Sequence, residues 1–476
     1  MKRAYKYLPV YTGDVSGVCA ALYELGGMVV IHDPSGCNST YNTHDEVRWN
    51  YKESLIFISG LNDEDAIKGN DFKFIDDICR AAESLNPKFI MIVNSPIPYI
   101  NGTDFNYISK AVFRKTGIRT YYIGTNAMHD YTKGCSDAFL SIVEKILGPN
   151  SEKQFGIADE IFDLATNDYQ ELVTLEKNVT NKEDFPGSLT NNKQVENPSN
   201  RNNVSAENPS NRNNVSAENA SNRNNVSAEV KSSDENLQGD TFSKISINLL
   251  GITPLDFPKE FKTNELRNYF TGKGFNVISS WSVNTSLEEI SQFKKADVNV
   301  VLSSSGLAAA KKIEELYNIP YVVGVPIGEY GNYLCERIRE VCKTRKSEIS
   351  YLNKFNEITE NNDDNLSKNI KNDNVYLVGE PVYMSSLKAA KILEGNNLES
   401  SYKTVCLTEL HKGLLNDNDI VCTCEEELIE VIKDADYVVG DPLIKKLCKK
   451  DVTFTPIVHF ALSGRTGEYM IENGLC

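Results

Sequence analysis

The sequence of 476 residues lacks an apolar run long enough to span a membrane, and its amino terminus lacks the basic and apolar segments of an export signal. An excess of positive charge is also missing, because 50 lysines and arginines face 66 aspartates and glutamates. The formal net charge of −16 argues against binding to nucleic acid or to an anionic membrane surface. With 40% hydrophobic residues, we expect a cytoplasmic protein with sizeable apolar cores.

Two common nucleotide-binding motifs are missing as well. Neither a GxGxxG nor a GxxxxGK[ST] sequence follows any predicted strand, so the chain is not expected to bind a dinucleotide or ATP by itself. The eleven cysteines form no CxxC pair, and Cys422 and Cys424 are separated by a single residue. An odd number of dispersed cysteines without an export signal excludes a disulfide framework and favours buried structural thiols.

Short runs rich in valine and isoleucine alternate with amphipathic helical segments. Strands are predicted over 28–31, 56–59, 89–94, 120–123, 245–251, 276–279, 298–302, 321–324, 375–378, 404–407, 437–439 and 455–459. Helices are predicted over 14–25, 74–85, 107–115, 306–317, 384–393 and 425–433. This alternation predicts an α/β protein with three Rossmann-like domains, each built on a parallel sheet with right-handed crossovers.

An 11-residue sequence that begins at Glu196 recurs from Glu207 and again from Glu218. Each copy is rich in asparagine and serine and holds one valine, so it cannot bury enough apolar surface to order itself. We therefore expect a first Rossmann-like domain with the cluster motif described below (1–176), a disordered low-complexity insertion (177–238), a second domain (239–352), a polar linker (353–374) and a third domain (375–476).

Cys37 follows the first predicted strand in the sequence Pro34-Ser35-Gly36-Cys37. A strand followed by a Gly-Cys turn presents a thiolate at the carboxyl end of a buried strand, where open α/β sheets hold their ligands. Gly36 lets the backbone come close to whatever the sulfur holds. The alternative is a buried structural thiol at a tight turn. We favour an iron–sulfur ligand at Cys37, with Gly36 as part of the cofactor-binding turn.

The segment from Asp14 through His32 to Cys37 resembles the first cluster-binding stretch of the nitrogenase component 1 family, in which a glycine- and alanine-containing helix precedes a His-Gly-Pro-x-Gly-Cys sequence. The stretch from Asn94 to Asp104 looks like a later strand of that family with its turn. Residues 456–465 are similar to the family's histidine-containing loop, which faces its large cofactor. The resemblance covers nearly the whole chain apart from the repeats and implies the same three-domain architecture.

The resemblance also implies a reduced set of metal ligands. Only Cys37 matches one of the family's cluster cysteines cleanly; the other two positions fall near Asp14 and near Ser95, and the cysteine that anchors the catalytic cofactor falls near Ser303. A nitrogenase-like reductase with a simpler cluster, of the 4Fe–4S type, is therefore expected in place of dinitrogen reduction. A homodimer could supply Cys37 and Cys19 from each subunit as metal ligands, and a paralogous component 1 subunit is the other partner considered. Taken alone, Cys19 lies on a helix face with apolar neighbours, which is typical of core packing.

Three further residues are candidates for catalysis. His459 matches the cofactor loop, and Arg465 would face an anionic substrate or cofactor, such as a further metal or a tetrapyrrole in a pocket between the domains. The alternative for His459 is a histidine with satisfied hydrogen bonds at a sheet edge. His44 belongs to a His-Asp-Glu trio that could relay protons near the cluster, or could form a solvated loop with a helix cap.

Together these features predict an oxidoreductase. A component 1 subunit would accept electrons at its cluster from a P-loop iron-protein reductase that hydrolyses ATP, and pass them to a substrate or cofactor between the domains. One alternative is an assembly scaffold that holds a cluster or cofactor precursor without turnover. Another is a metal-free module of periplasmic type that binds small anions, against which the missing export signal and the Gly-Cys turn both count.

Overall fold

The computed structural model describes residues 6–34, 46–50, 52–149, 244–257, 263–361, 373–395, 402–409 and 411–475. Within these ranges the strands form three sheets, and every strand pair is parallel. The first sheet contains β1 (Met28–His32), β2 (Leu55–Ile58), β3 (Ile90–Asn94) and β4 (Thr120–Ile123). The second contains β5 (Ser246–Leu250), β6 (Asn276–Ser280), β7 (Val298–Val301), β8 (Tyr321–Val323) and β9 (Glu348–Ile349). The third contains β10 (Val375–Val378), β11 (Tyr402–Cys406), β12 (Ile420–Val421), β13 (Tyr437–Gly440) and β14 (Thr453–Pro456).

The helices connect these strands as crossovers. They are α1 (Asp14–Leu22), α2 (Asp63–Lys68), α3 (Asp71–Leu85), α4 (Pro96–Asn101), α5 (Phe105–Thr116), α6 (Tyr131–Ser141), α7 (Thr263–Gly272), α8 (Leu287–Ser291), α9 (Leu307–Tyr317), α10 (Tyr330–Thr344), α11 (Ser350–Asn361), α12 (Pro381–Leu393), α13 (Glu425–Ile432) and α14 (Phe460–Glu472). Short 3₁₀ helices occupy Val47–Asn50, Gln292–Lys295, Ser304–Gly306 and Pro442–Leu447, and a π-helical turn occupies Ile142–Ile146. No helix in the described ranges is both long and apolar enough to cross a membrane.

The strand orders of the three sheets are β2-β1-β3-β4, β6-β5-β7-β8-β9 and β12-β11-β10-β13-β14. In each sheet the first strand along the chain lies inside the sheet, so the connections run outward in both directions from it. The carboxyl ends beside such a reversal are where ligands bind in open α/β sheets. The three parallel sheets confirm the predicted fold class, whereas the domain boundaries stay predictions and the repeats lie outside the described residues.

The central strands are buried because helices cover both faces of each sheet. All five residues of β1 and all five of β3 are buried, which explains their continuous apolar sequences. The largest apolar core includes residues of all three sheets, among them Val29, Val300 and Val378. The three sheets therefore share one contiguous interior.

Helices α1 and α6 pack unusually closely because a glycine stands on each side of their contact. A Cβ atom added at Gly17 would lie 2.3 Å from the carbonyl oxygen of Tyr131, and one added at Gly134 would lie 1.9 Å from that of Asp14. Only glycine permits such an approach of two backbones. The contact fixes Tyr131, the first residue of α6, at the centre of the molecule.

Two local features differ from the sequence prediction. The strand predicted over 455–459 ends at Pro456, and His459 instead immediately precedes α14. The polar segment predicted as a linker from residue 353 begins inside α11, because the buried rings of Tyr351 and Phe355 anchor that helix to the core. In both places tertiary contacts determine the secondary structure of a segment whose local sequence is ambiguous.

Candidate functional site

Gly36, Cys37 and His44 all belong to residues 35–45, which lie outside the described residues. Their predicted roles therefore stay predictions. The chain before this segment is well defined, since β1 ends at His32 on the carboxyl edge of the first sheet. The chain after it continues at the buried residue Glu46. The predicted cluster turn thus connects a strand end to a buried residue.

His32 closes the end of β1 with contacts to its neighbours. Its Nδ1 lies 2.9 Å from the hydroxyl of Ser59, which follows β2, and its ring stacks on Phe74 with 3.9 Å between the ring centroids. Burial lowers the pKa of His32 to about 4, so the ring is neutral at physiological pH. A neutral histidine at this position contributes packing and a hydrogen bond to the strand end.

Beside His32 a groove of about 400 Å³ opens between α2 and α4. The two helices also expose large apolar side chains: Ile67 is 84% exposed and Ile100 is 78% exposed, and Ile97 and Tyr99 lie close to Ile100 in sequence with 40% and 55% exposure. We call these four residues the apolar patch. Exposed apolar residues close together in the chain are typical of an interaction surface.

Ser95 lies at the end of β3, where the resemblance expects one of the family's cluster cysteines. The residue is 1% exposed, and its hydroxyl has no hydrogen-bond partner among the described residues. Its backbone N–H donates to the carbonyl of His32 at 3.2 Å, so the two strand ends are joined. A buried hydroxyl without a partner is rare in native proteins and marks this edge as incompletely satisfied.

Cys19 lies inside the protein rather than at this edge. It is fully buried in the middle of α1, and the Sγ of its neighbour Cys135 on α6 donates to the carbonyl of Gly17 at 3.1 Å. Burial, and next the charge of Glu46, raise the pKa of the Cys19 thiol well above its usual value. This environment favours the protonated thiol, which is a poor metal ligand.

Of the predicted proton-relaying trio, only Glu46 lies in the described ranges, and it is buried. The Nε atom of Arg48 is 2.7 Å from Glu46, and Nη1 is 3.1 Å from Glu24; the side chains of all three are about 1% exposed. Nη2 also donates to the carbonyl of Ala20 at 2.8 Å. This buried ion cluster fixes the exit of the 35–45 segment against α1. In the part of the chain that the structure describes, no three histidine, cysteine or acidic side chains converge as a metal site.

A second polar region lies where the three sheets meet. We call it the three-sheet junction and define it by five buried residues, which are Tyr11, Tyr131, Asp256, Glu380 and His459. His459 Nε2 lies 2.8 Å from the hydroxyl of Tyr131 and Nδ1 lies 3.4 Å from that of Tyr11. Burial lowers the pKa of His459 to about 4. Both ring nitrogens therefore have protein partners, which leaves neither free for a cofactor in this arrangement.

Two buried carboxyl groups complete the junction. Asp256 accepts from the hydroxyl of Tyr131 at 2.5 Å and from that of Thr253 at 2.7 Å. Glu380 accepts from the backbone N–H of Ser304 at 2.8 Å and from that of Tyr383 at 2.7 Å. Burial raises the pKa of Asp256, and burial together with the nearby charge of Asp256 raises the pKa of Glu380.

Sequence reasoning missed Tyr131, Asp256 and Glu380, although the turns that follow β5, β7 and β10 occupy the position of phosphate-binding loops. The structure brings these turns together: Ser303 Oγ donates to the carbonyl of Gly251 at 2.7 Å, and the turn after β7 reaches Glu380 through Ser304. An acidic residue soon after two strand ends was the available signal. The absence of a glycine pattern drew attention away from it.

His459 immediately precedes α14, and Arg465 lies within the first turns of that helix. Asp441 holds this segment, since its Oδ2 accepts from the backbone N–H of His459 at 2.9 Å and from the hydroxyl of Ser463 at 2.6 Å. Gly464 adopts φ 54°, and the following Arg465 is half-buried. Its Nη2 atom is buried without a hydrogen-bond partner within the described ranges. The guanidinium is therefore available to an anion, although its predicted role stays a prediction.

Known proteins resemble this chain at two levels. The sequence profile described as Nitrogenase component 1 type Oxidoreductase matches residues 16–438. A subunit of the light-independent protochlorophyllide reductase of Nostoc punctiforme is 29% identical over 119 residues, which is 25% of this chain and 23% of that protein. The corresponding protein of Nephroselmis olivacea is 34% identical over 84 residues, 17% of this chain and 16% of that protein. The matched stretches thus span about a quarter or less of these relatives.

Two solved structures share the fold of this chain over almost its whole length. The structure described as nitrogenase Cp1 at pH 6.5 superposes with a TM-score of 0.51 at 12% identity, covering 96% of this chain and 87% of that one. The same protein at pH 5 gives a TM-score of 0.52 at 12% identity, with 99% and 90% coverage. At this identity the likeness establishes a shared fold.

Proposed function

This chain belongs to the nitrogenase component 1 type oxidoreductase family, and we propose that it is a reductase subunit that holds an iron–sulfur cluster at Cys37 and receives electrons from an ATP-dependent iron-protein reductase. The observation that carries this proposal is the family match over residues 16–438, which includes Cys37 and the strand end before it. A bound cluster would supply one-electron transfer.

The described residues around the 35–45 segment support a cofactor at this edge. The chain enters the segment at the carboxyl end of a parallel strand, where open α/β sheets bind ligands, and Ser95 presents a buried hydroxyl without a partner among the described residues there. Cys37 is therefore the thiolate that we assign to the cluster. Cys19 remains the second predicted ligand, but its place between α1 and α6 suits core packing better.

The apolar patch supports a subunit interface beside the cluster. We assign one thiolate of this chain, Cys37, to the cluster, so further ligands would come from a second component 1 subunit, either a copy of this chain or a paralogue. Ile67 and Ile100 lie on α2 and α4, which line the groove next to His32. We propose that the second subunit covers these two helices.

The relatives named above reduce protochlorophyllide, as their names state. We therefore propose a tetrapyrrole as the first substrate class to test. The three-sheet junction is filled by Tyr11, Tyr131 and His459, so the subunit interface is the more suitable place for such a substrate.

The experiment compares metal content in matched variants. The full chain is purified without oxygen, and iron, sulfide and the visible spectrum are measured for wild type, Cys37→Ala and Cys342→Ala. Cys342 is a half-buried cysteine on α10 and serves as the control. We expect Cys37→Ala to lose most of its iron while Cys342→Ala keeps it. Equal iron in all three proteins would refute the proposal.

The filled junction favours a second candidate, an assembly scaffold that holds a cluster and performs no turnover. The two functions differ in a direct assay. Reduction of a tetrapyrrole that needs ATP and an iron protein identifies the reductase. Transfer of the cluster to an acceptor apoprotein, with no such reduction, identifies the scaffold.

A further inference from the structure

Four side chains of the three-sheet junction form an unbroken line of hydrogen-bonding groups. Tyr11 contacts His459 Nδ1 at 3.4 Å, His459 Nε2 contacts Tyr131 at 2.8 Å, and Tyr131 contacts Asp256 at 2.5 Å. All four residues are at most 7% exposed. Tyr11, at one end of the line, follows Val10, which is 65% exposed, and Asp256, at the other end, is 4% exposed.

The direction of each hydrogen bond in this line follows from the number of hydrogens that each group carries. The Tyr131 hydroxyl donates to the Asp256 carboxylate, and because a hydroxyl has one hydrogen it must accept from His459 Nε2. The His459 ring is neutral because burial lowers its pKa to about 4, so Nδ1 carries no hydrogen and accepts from Tyr11. Every donor therefore points from Tyr11 toward Asp256.

We propose that Tyr11, His459 and Tyr131 form a relay that carries one proton from solvent to Asp256, which makes Asp256 a buried proton store. In one passage the Tyr11 O–H bond breaks as a bond to His459 Nδ1 forms. The Nε2–H bond breaks as a new O–H bond forms on Tyr131, and the original Tyr131 O–H bond breaks as Asp256 gains the proton. Water then returns a proton to the Tyr11 oxygen, so the net change is one proton moved from solvent to Asp256, with the His459 hydrogen moved from Nε2 to Nδ1.

The surroundings of Asp256 are suited to holding a proton. The neighbouring groups that face it are Asp130, Tyr131 and Cys135 from α6, Glu380 at the start of α12, Thr253 in its own turn and Ser303 after β7. The acidic members of this set favour the neutral form of Asp256, as does its burial, whereas the hydroxyl donors favour the charged form. Burial dominates and raises the pKa of Asp256.

The store is detected by infrared difference spectroscopy on the purified full chain. As the pH is lowered from roughly 9 to roughly 4, a buried carboxylate that takes up a proton gains the C=O stretch of a carboxylic acid. We expect this signal in wild type and its loss in Asp256→Asn. The Glu380→Gln variant shows how much of the C=O signal comes from the second buried carboxyl. An unchanged signal in Asp256→Asn would overturn the proposal.

The relay is detected by the rate at which the same signal follows a rapid pH change. Tyr131→Phe removes the hydroxyl that contacts both His459 and Asp256, and we expect the protonation rate to fall about a hundredfold. Tyr351→Phe is the matched control, because that buried hydroxyl donates only to the carbonyl of Leu414. Tyr11→Phe, which removes the 3.4 Å contact to His459, provides a second test if Tyr131→Phe fails to fold. A wild-type rate in the folded relay variants refutes the relay. Neither measurement involves the cluster, so its failure and that of the proposed function are separate results.

Discussion

The carboxyl edge of the first sheet and the three-sheet junction differ in what satisfies their polar and apolar groups. At the edge, Ser95 is buried without a hydrogen-bond partner among the described residues, and Ile67 and Ile100 face solvent. At the junction, the chain's own side chains fill the space, and both nitrogens of His459 are engaged. The difference teaches that side chains of this chain pair with one another at the junction, whereas the edge leaves apolar side chains exposed.

The largest expected effect comes from removing the ion cluster that supports the edge. Arg48→Ala removes the cation that the buried carboxylates of Glu24 and Glu46 share, and Glu24 keeps its ion pair with Lys52. We expect the free energy of unfolding to fall by about 3–5 kcal/mol, as measured by chemical denaturation. Arg80→Ala is the control, since Arg80 is 77% exposed in its ion pair, and it should cost less than about 1 kcal/mol. Equal losses would show that Arg48 does not anchor this edge.

The apolar patch tests whether the edge binds a further chain. Ile100→Asp should weaken association with the second component 1 subunit by about 2–4 kcal/mol, because it places a charge in an apolar contact. Its effect on the unfolding free energy should stay within about 0.5 kcal/mol, because Ile100 is 78% exposed. Sedimentation velocity and denaturation measure the two quantities. Leu475→Asp, at a distant exposed site, is the control; association unaffected by Ile100→Asp would contradict the interface.

The pH dependence of the unfolding free energy tests whether the Glu380 carboxyl of the junction keeps its proton in the folded protein. Burial and the charge of Asp256 raise the pKa of Glu380 above its ordinary 4.5, so the folded state keeps a proton that the unfolded state has lost. The stability that this carboxyl contributes is complete below pH 4.5 and is lost as the pH rises through the raised value. We expect Glu380→Gln to remove a slope of up to about 1.4 kcal/mol per pH unit.

The measurement is best made well above pH 6.5, the ordinary pKa of His459, because the ring is then largely neutral in the unfolded chain as well as in the folded one. Denaturation curves across this range are compared for wild type, Glu380→Gln and the exposed Glu394→Gln. A slope that persists in Glu380→Gln would mean that this carboxyl is already ionised in the folded protein.

The smallest effect should come from the outer end of the junction. Tyr11→Phe removes the 3.4 Å contact to His459, and its cost should be about 0.5–1 kcal/mol of unfolding free energy. Tyr131→Phe removes two shorter contacts and should cost more. If thermal or chemical denaturation gave the opposite order, the connectivity of the hydrogen-bonded line would be wrong.

The fold was largely predictable because periodicity reports which faces are buried. Strands such as Thr120–Ile123 and Val375–Val378 match their predicted bounds, since continuous apolar runs have few alternatives to a central parallel strand. The candidate site was less predictable. The pattern identified His459 but placed it in a strand, and it could not reveal that Tyr131 and Asp256, which are 125 positions apart, share a hydrogen bond.

The sequence alone determined the three-sheet α/β architecture and the family resemblance, because both depend on local patterns of apolar and small residues. Only the tertiary structure decided that the turns after β5, β7 and β10 meet, and that Asp256 and Glu380 become buried beside each other. The physical reason is that hydrogen bonding and desolvation depend on distances between residues far apart in the chain. Such distances arise only when close approaches, such as that of Gly17 and Gly134 to the facing backbones, bring the elements together.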